Sequence, residues 1–115
     1  MKRIINAFKY SMAGLTATWK SEPAFRQDIV IFVVGTIVAI ILPVTLFLKA
    51  CMISALLLIV IMELINTAIE TIVDRISMDR HELSKKAKDI GSALVCIAFI
   101  NAAIMWILIL IQCFA

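Results

Sequence analysis

The sequence predicts an all-α membrane protein, an N-terminal amphipathic surface helix followed by three transmembrane helices, and three observations carry that prediction. First, 63% of the 115 residues are hydrophobic and only 17% are charged, with a mean hydropathy of +1.08. A soluble domain runs nearer half apolar and a quarter charged. Second, the apolar residues come in blocks: neither Ile29 to Leu48 nor Ile90 to Ala115 contains a charge. About twenty helical residues span the hydrocarbon core of a bilayer. Third, the charges gather between those blocks. Residues 1–115 are expected to form a single membrane unit with helices at 1–20, 29–48, 50–73 and 90–113, leaving no room for a separate extramembrane domain.

In the first helix, Ile4, Ile5, Phe8, Met12, Leu15 and Trp19 project within an arc of about 100° at helical spacing. Lys2, Lys9 and Lys20 lie opposite, with Arg3 flanking. A basic amphipathic helix ending in tryptophan suits the headgroup layer of a membrane. Pro23 ends it by pushing Glu22 away from helical geometry. The first span is expected to finish near Pro43 and to reverse through Val44 to Lys49. The second runs into the charged segment Asp74 to Asp89, and the third follows. The first apolar block starts too far from the N-terminus, and lacks the small-residue cleavage pattern, to read as a signal peptide.

Orientation follows from charge. Five Lys or Arg lie in residues 1–28 and five in 74–89, with Lys49 alone between the first two spans. The positive-inside rule then puts the N-terminus and the 74–89 segment in the cytoplasm and the C-terminus outside. The net charge of +3 is a matter of topology and anionic lipid. No basic patch interleaved with aromatics stands clear of the membrane, so no nucleic-acid partner is expected. Cys51, Cys96 and Cys113 all fall in apolar stretches and read as reduced thiols. The single histidine, His81, excludes a zinc cluster built on histidines.

Chemistry enters in the second span. Glu63, Asn66, Glu70 and Asp74 are spaced by three, four and four residues, which strings them along one helical stripe. A carboxylate at membrane depth costs several kcal/mol unless paired, protonated or hydrated, and the flanking spans supply no cation. Glu63 should lie about 15 Å from the cytoplasmic end of the span and Glu70 about 5 Å. From Ala50 to Met62 only Ser54 is polar, so the stripe opens to the cytoplasm and is closed outward. Glu22, Arg26, Gln27 and Asp28, and then Lys85, Lys86, Lys88 and Asp89, converge at the cytoplasmic level. Carboxylates with an amide suit Mg²⁺, and Lys with Arg offers countercharge for phosphate, the parts that phosphoryl transfer requires. With glycine only at 14, 35 and 91, neither a Walker A loop nor a kinase glycine loop exists.

The strings EPAFRQD (22–28), ELINTAIETIVDRI (63–76) and HELSKKAKDIGSALV (81–95) resemble the bacterial integral membrane diacylglycerol kinase family. The resemblance extends over essentially the whole chain. It implies an ATP-dependent lipid kinase of the bacterial inner membrane, a homotrimer whose active sites are shared between subunits at the cytoplasmic surface. On that resemblance, Glu63 is the general base toward the lipid hydroxyl, and Glu22 and Glu70 hold Mg²⁺ on the phosphates of ATP. Arg3, Tyr10, Glu22, Glu70, Asp79, Arg80, His81, Lys88 and Asp89 correspond to nucleotide-binding positions. Trp19, Ala24, Phe25, Arg26, Gln27, Asp28, Glu63, Asn66 and Ser92 correspond to positions binding the lipid. Two departures from the family pattern concern lipid and packing: Asp28 stands where glutamate is common, and Met12 where an aromatic is frequent. Small residues at Ala98, Ala102 and Ala103 are suited to close helix approach.

Two rival functions follow from the same features. Polyprenol kinases share the architecture and phosphorylate undecaprenol, although the Asp74-Arg75 pair, the hydrophilic loop after it and the AFRQ string look more like the diacylglycerol branch. A small proton-coupled multidrug transporter would also place a glutamate within a span, but would need a fourth span and access from both faces.

Overall fold

The computed structural model describes all residues, 1–115, as four helices: α1 (Lys2–Ser21), α2 (Pro23–Ile41), α3 (Leu46–Ile76) and α4 (Glu82–Phe114). The all-α expectation with three long apolar helices holds: α2, α3 and α4 are each long and apolar enough to cross a membrane. Their bounds differ from the predicted spans in ways that local chemistry explains. Proline at the first position of a helix lacks only an N–H that would be unpaired anyway. Pro23 therefore starts α2 directly, and Ala24 to Asp28 belong to the helix instead of leading into it. At the far end, Pro43 stops α2, with Leu42 already extended. The Thr45 hydroxyl accepts from the Leu48 N–H at 3.3 Å and caps α3, so the turn is shorter than Val44 to Lys49. Likewise His81 Nδ1 accepts from the Leu83 N–H at 3.0 Å, and α4 begins well before residue 90.

Two of the three helix joints are held by a cation on helix-end carbonyls, the groups a helix C-terminus leaves unpaired. Glu22 is extended, with φ −117° and ψ 103°, and across this break Arg26 Nη1 donates to the carbonyls of Trp19 (2.7 Å) and Lys20 (3.3 Å). Lys49 Nζ donates to the Leu42 carbonyl at 2.9 Å and also to that of Ile40. The lone basic residue between the first two spans thus closes the end of α2.

Helix α3 is the centre of the fold, packed by α2 on one side and α4 on the other, whereas α1 packs chiefly on the start of α2. Ala55, Leu56 and Ile59 of α3 meet Ala98 and Ala102 of α4, and Ala39 of α2, Met52 of α3 and Ile109 of α4 form a second cluster toward the other end. Trp106 ties the two together by donating from Nε1 to the Met52 carbonyl at 3.1 Å. Ala98 and Ala102 permit the close approach expected of them, while Ala103 is exposed. Extra methylenes in such a seam cost about 1–3 kcal/mol. Ala98→Leu is accordingly expected to lower the thermal unfolding temperature in detergent, and Ile97→Leu, at an exposed position, to leave it unchanged.

Only 15 of the 115 residues are buried, so most of the apolar surface of α2 and α4 faces outward. The same is true of α1, whose six stripe residues are all exposed and whose only buried residue is Thr18. That stripe takes no part in the chain's own core. The three cysteines are unpaired.

Candidate functional site

Each polar residue of the α3 stripe sits in a different environment. Glu63 and Asn66 are buried, Glu70 and Asp74 half-buried. Glu63, at 6% exposure, lies deepest, and its neighbouring carboxyl is that of Asp28, also 6% exposed. The sequence reading set Asp28 ahead of the first span. Because Pro23 nucleates α2 immediately, Asp28 instead falls in the second turn, on the face that turns Phe25 and Asp28 into the protein. Its Oδ2 has no hydrogen-bond partner.

One turn further along α3, the Asn66 side-chain N–H donates to Glu70 Oε1 at 3.2 Å, leaving the other carboxylate oxygen of Glu70 without a hydrogen bond. Asn66 Oδ1 is buried and unpartnered. The amide orientation is fixed by Glu70, since the reverse would set a carbonyl oxygen against a carboxylate.

Beyond Glu70 the polar path widens into a cleft of about 570 Å³ where α3 turns into α4, lined by Asp74, Ser77, Asp79, Arg80, His81, Lys85, Lys88 and Asp89 among others. Five predicted nucleotide positions, Asp79, Arg80, His81, Lys88 and Asp89, meet there. Lys88 Nζ pairs with Asp74 at 2.7 Å and Lys85 Nζ with Asp89 at 2.7 Å. Both pairs are solvent-accessible, and water screens such pairs, so either lysine can exchange its carboxylate for a phosphate at little cost. Along the axis of α3, Glu63 and Glu70 are separated by about 10 Å, and Glu70 and Asp74 by about 6 Å.

The other predicted site residues lie apart from this line. Arg3 and Tyr10 are exposed on α1, Trp19 is exposed near its end, and Glu22 occupies the extended joint between α1 and α2. Ala24 and Gln27 are exposed on the outer face of α2, Ser92 is exposed on α4, and Arg26 is occupied with the carbonyls of α1. No three carboxylate, histidine or cysteine side chains converge on one point. Magnesium carried with a nucleotide does not need such a cage, because one or two carboxylates suffice alongside phosphate oxygens and water. The half-free Glu70 carboxylate, oriented by Asn66, fits that requirement.

Two features went unseen in the sequence. The Asp28–Glu63 juxtaposition depends on where α2 begins, although the Pro23 position could have given it. Gly91, buried on α4 directly against Asn66, bears no chemistry of its own, and nothing in the sequence marks it.

The family model for prokaryotic diacylglycerol kinase matches residues 9–110. A diacylglycerol kinase of Escherichia coli strain K12 is 46% identical over 108 residues, covering 94% of this chain and 88% of the relative. One from Pseudomonas aeruginosa is 47% identical over 111 residues, covering 96% and 90%. A more distant one, from Helicobacter pylori strain J99, is 36% identical over 105 residues, covering 91% and 82%. A match over most of the chain, with relatives this similar over nearly their full length, shows that the chain belongs to the prokaryotic diacylglycerol kinase family.

Proposed function

We propose that this protein transfers the γ-phosphoryl group of ATP to the free hydroxyl of diacylglycerol in the inner membrane, giving phosphatidic acid and ADP. The observation that carries the reading is the buried carboxyl of Glu63 in the middle of a spanning helix, on the same stripe as the hydrogen-bonded Asn66 and Glu70 and, beyond them, a cleft lined by charges of both signs. Glu63 takes the proton from the lipid hydroxyl as its oxygen attacks the γ-phosphorus, and the bond from that phosphorus to the β-phosphate oxygen breaks. A hydroxyl arriving between Glu63 and Asp28 has a carboxyl oxygen on either side. Phe25, buried beside Asp28, and the neighbouring stretch Ala24 to Gln27 with Trp19 and Ser92 border the lipid.

Lys88 and Asp89, with Asp79, Arg80 and His81, bind the nucleotide in the cleft, and its triphosphate runs along α3 toward Glu63. Glu70 and Glu22 would hold Mg²⁺ on the phosphates. When bound, the ion neutralises phosphate charge and orients the γ-phosphoryl group. The exposed apolar stripe of α1 rests on the cytoplasmic membrane surface. A homotrimer accounts for the distance of Arg3 and Tyr10 from the cleft, since α1 of one copy can then complete the site of another. It also covers apolar helix faces that one chain leaves open. The excess of Lys and Arg in residues 1–28 and 74–89 supports a cytoplasmic N-terminus and an outward C-terminus.

The substrate is tested by comparing labelled phosphate transfer from ATP to diacylglycerol and to undecaprenol in mixed micelles. Faster transfer to diacylglycerol is expected, and faster transfer to the polyprenol would overturn the assignment.

A further inference from the structure

Gly91 lies four residues before Val95, near the polar end of the α3–α4 seam that continues through Ala98, Ala102 and Ile109. A methyl group at Gly91 would overlap Asn66 Oδ1 and come within 3.3 Å of Asn66 Cγ, but would lie 3.6 Å from Asn66 Cα. The backbones therefore have room for a Cβ at this crossing, and the side chain of Asn66 does not. What fills the space at Gly91 is the carbonyl end of the same amide whose other end donates to Glu70. That carbonyl has no hydrogen-bond partner, so the amide is held by Glu70 at its N–H end and needs the open space at Gly91 for its carbonyl end.

From this geometry we infer that Gly91 is a positioning residue of the phosphoryl-transfer site: its missing side chain seats Asn66 so that the Asn66 amide orients the Glu70 carboxylate toward the divalent cation. The inference rests on the metal-ligand role proposed above for Glu70. Gly91 touches neither substrate nor cation and acts only through Asn66. A bulkier residue at 91 leaves the helices together but turns the amide, and Glu70 loses the group that fixes its rotamer. Groups that orient a ligand from behind alter metal affinity by about 10–100-fold.

Gly35 provides an internal comparison. A methyl group there would overlap the tip of Leu56, with Trp106 Cζ2 at 3.6 Å, a similar crowding on the other side of α3, about 10 Å along the helix from Glu63. Gly35→Ala tests crowding as such, and Gly91→Ala tests crowding of Asn66.

The experiment measures Mn²⁺ binding to the purified full-length protein by electron paramagnetic resonance, with β,γ-methylene-ATP present, alongside thermal unfolding. Gly91→Ala is expected to weaken Mn²⁺ binding about tenfold with little change in unfolding temperature, whereas Gly35→Ala leaves Mn²⁺ binding unchanged. Asn66→Ala should weaken binding similarly. Adding Gly91→Ala to it should do nothing more, because the amide through which Gly91 acts is gone. That double variant also removes the overlap, so it remains informative if Gly91→Ala alone folds poorly. Equal losses in Gly91→Ala and Gly35→Ala would overturn the inference, as would additive losses in the double variant. Glu70→Gln separates the two levels. If it weakens Mn²⁺ binding while Gly91→Ala does not, the positioning role alone fails. If it leaves binding unchanged, the metal role of Glu70 fails and the inference falls with it.

Discussion

Glu63→Gln is expected to reduce phosphoryl transfer to diacylglycerol by about 10²–10⁴-fold, the contribution of a positioned general base, while the protein unfolds at nearly the wild-type temperature. Glutamine fills the same volume and keeps an acceptor, and replacing a carboxyl buried to 6% exposure by a neutral amide leaves no unpaired charge behind. The measurement is a single-turnover assay with labelled ATP in mixed micelles, where nucleotide binding is saturated and the chemical step is read directly. The KM for ATP should move little, since Glu63 lies about 10 Å up the helix from Glu70 and further still from the cleft. A variant that retained the wild-type rate would remove Glu63 from the chemistry, and one that lost nucleotide affinity instead would move it to the ATP side.

Glu70→Gln should act on a different parameter. Losing one carboxylate from a site with at most two is expected to raise the Mg²⁺ concentration for half-maximal rate by about a hundredfold, the upper end of the range seen when metal sites are disturbed. At saturating metal a substantial part of kcat should return. Glu70→Asp, one methylene shorter but still anionic, should fall between wild type and Glu70→Gln. A Mg²⁺ titration unchanged from wild type would count against Glu70 as a ligand. The two substitutions therefore separate along one helix: one lowers the rate at any metal concentration, the other shifts the metal dependence.

The α3 stripe was legible in the sequence because two constraints coincide there. Helical spacing aligns Glu63, Glu70 and Asp74, and the cost of a carboxylate at membrane depth gives that alignment meaning. The cationic segment after α3 was legible for the same reason in reverse, since lysines and arginines interrupting apolar blocks mark the edges of the spans. The position of Asp28 was not. A charge next to an apolar block reads equally well as a loop before the span or as a residue inside it, and only the helix start at Pro23 decides between them. The grip of Arg26 on the carbonyls of Trp19 and Lys20 was hidden because it depends on the angle at which two helices meet across Glu22. Gly91 was hidden for a different reason. Its contribution is an absence, and a composition or spacing argument registers only what a residue brings.

The length of α3 has a consequence for how two reactants of opposite solubility meet. Its 31 residues extend to about 46 Å, some 16 Å more than the hydrocarbon layer needs. One continuous rod therefore belongs to two immiscible phases, with its surplus turns in the aqueous layer and Glu63 within the oily one. On the function proposed above, the diglyceride can then stay dissolved in the bilayer and the base of the nucleotide in water, with only the phosphate end of the nucleotide reaching along the rod toward Glu63.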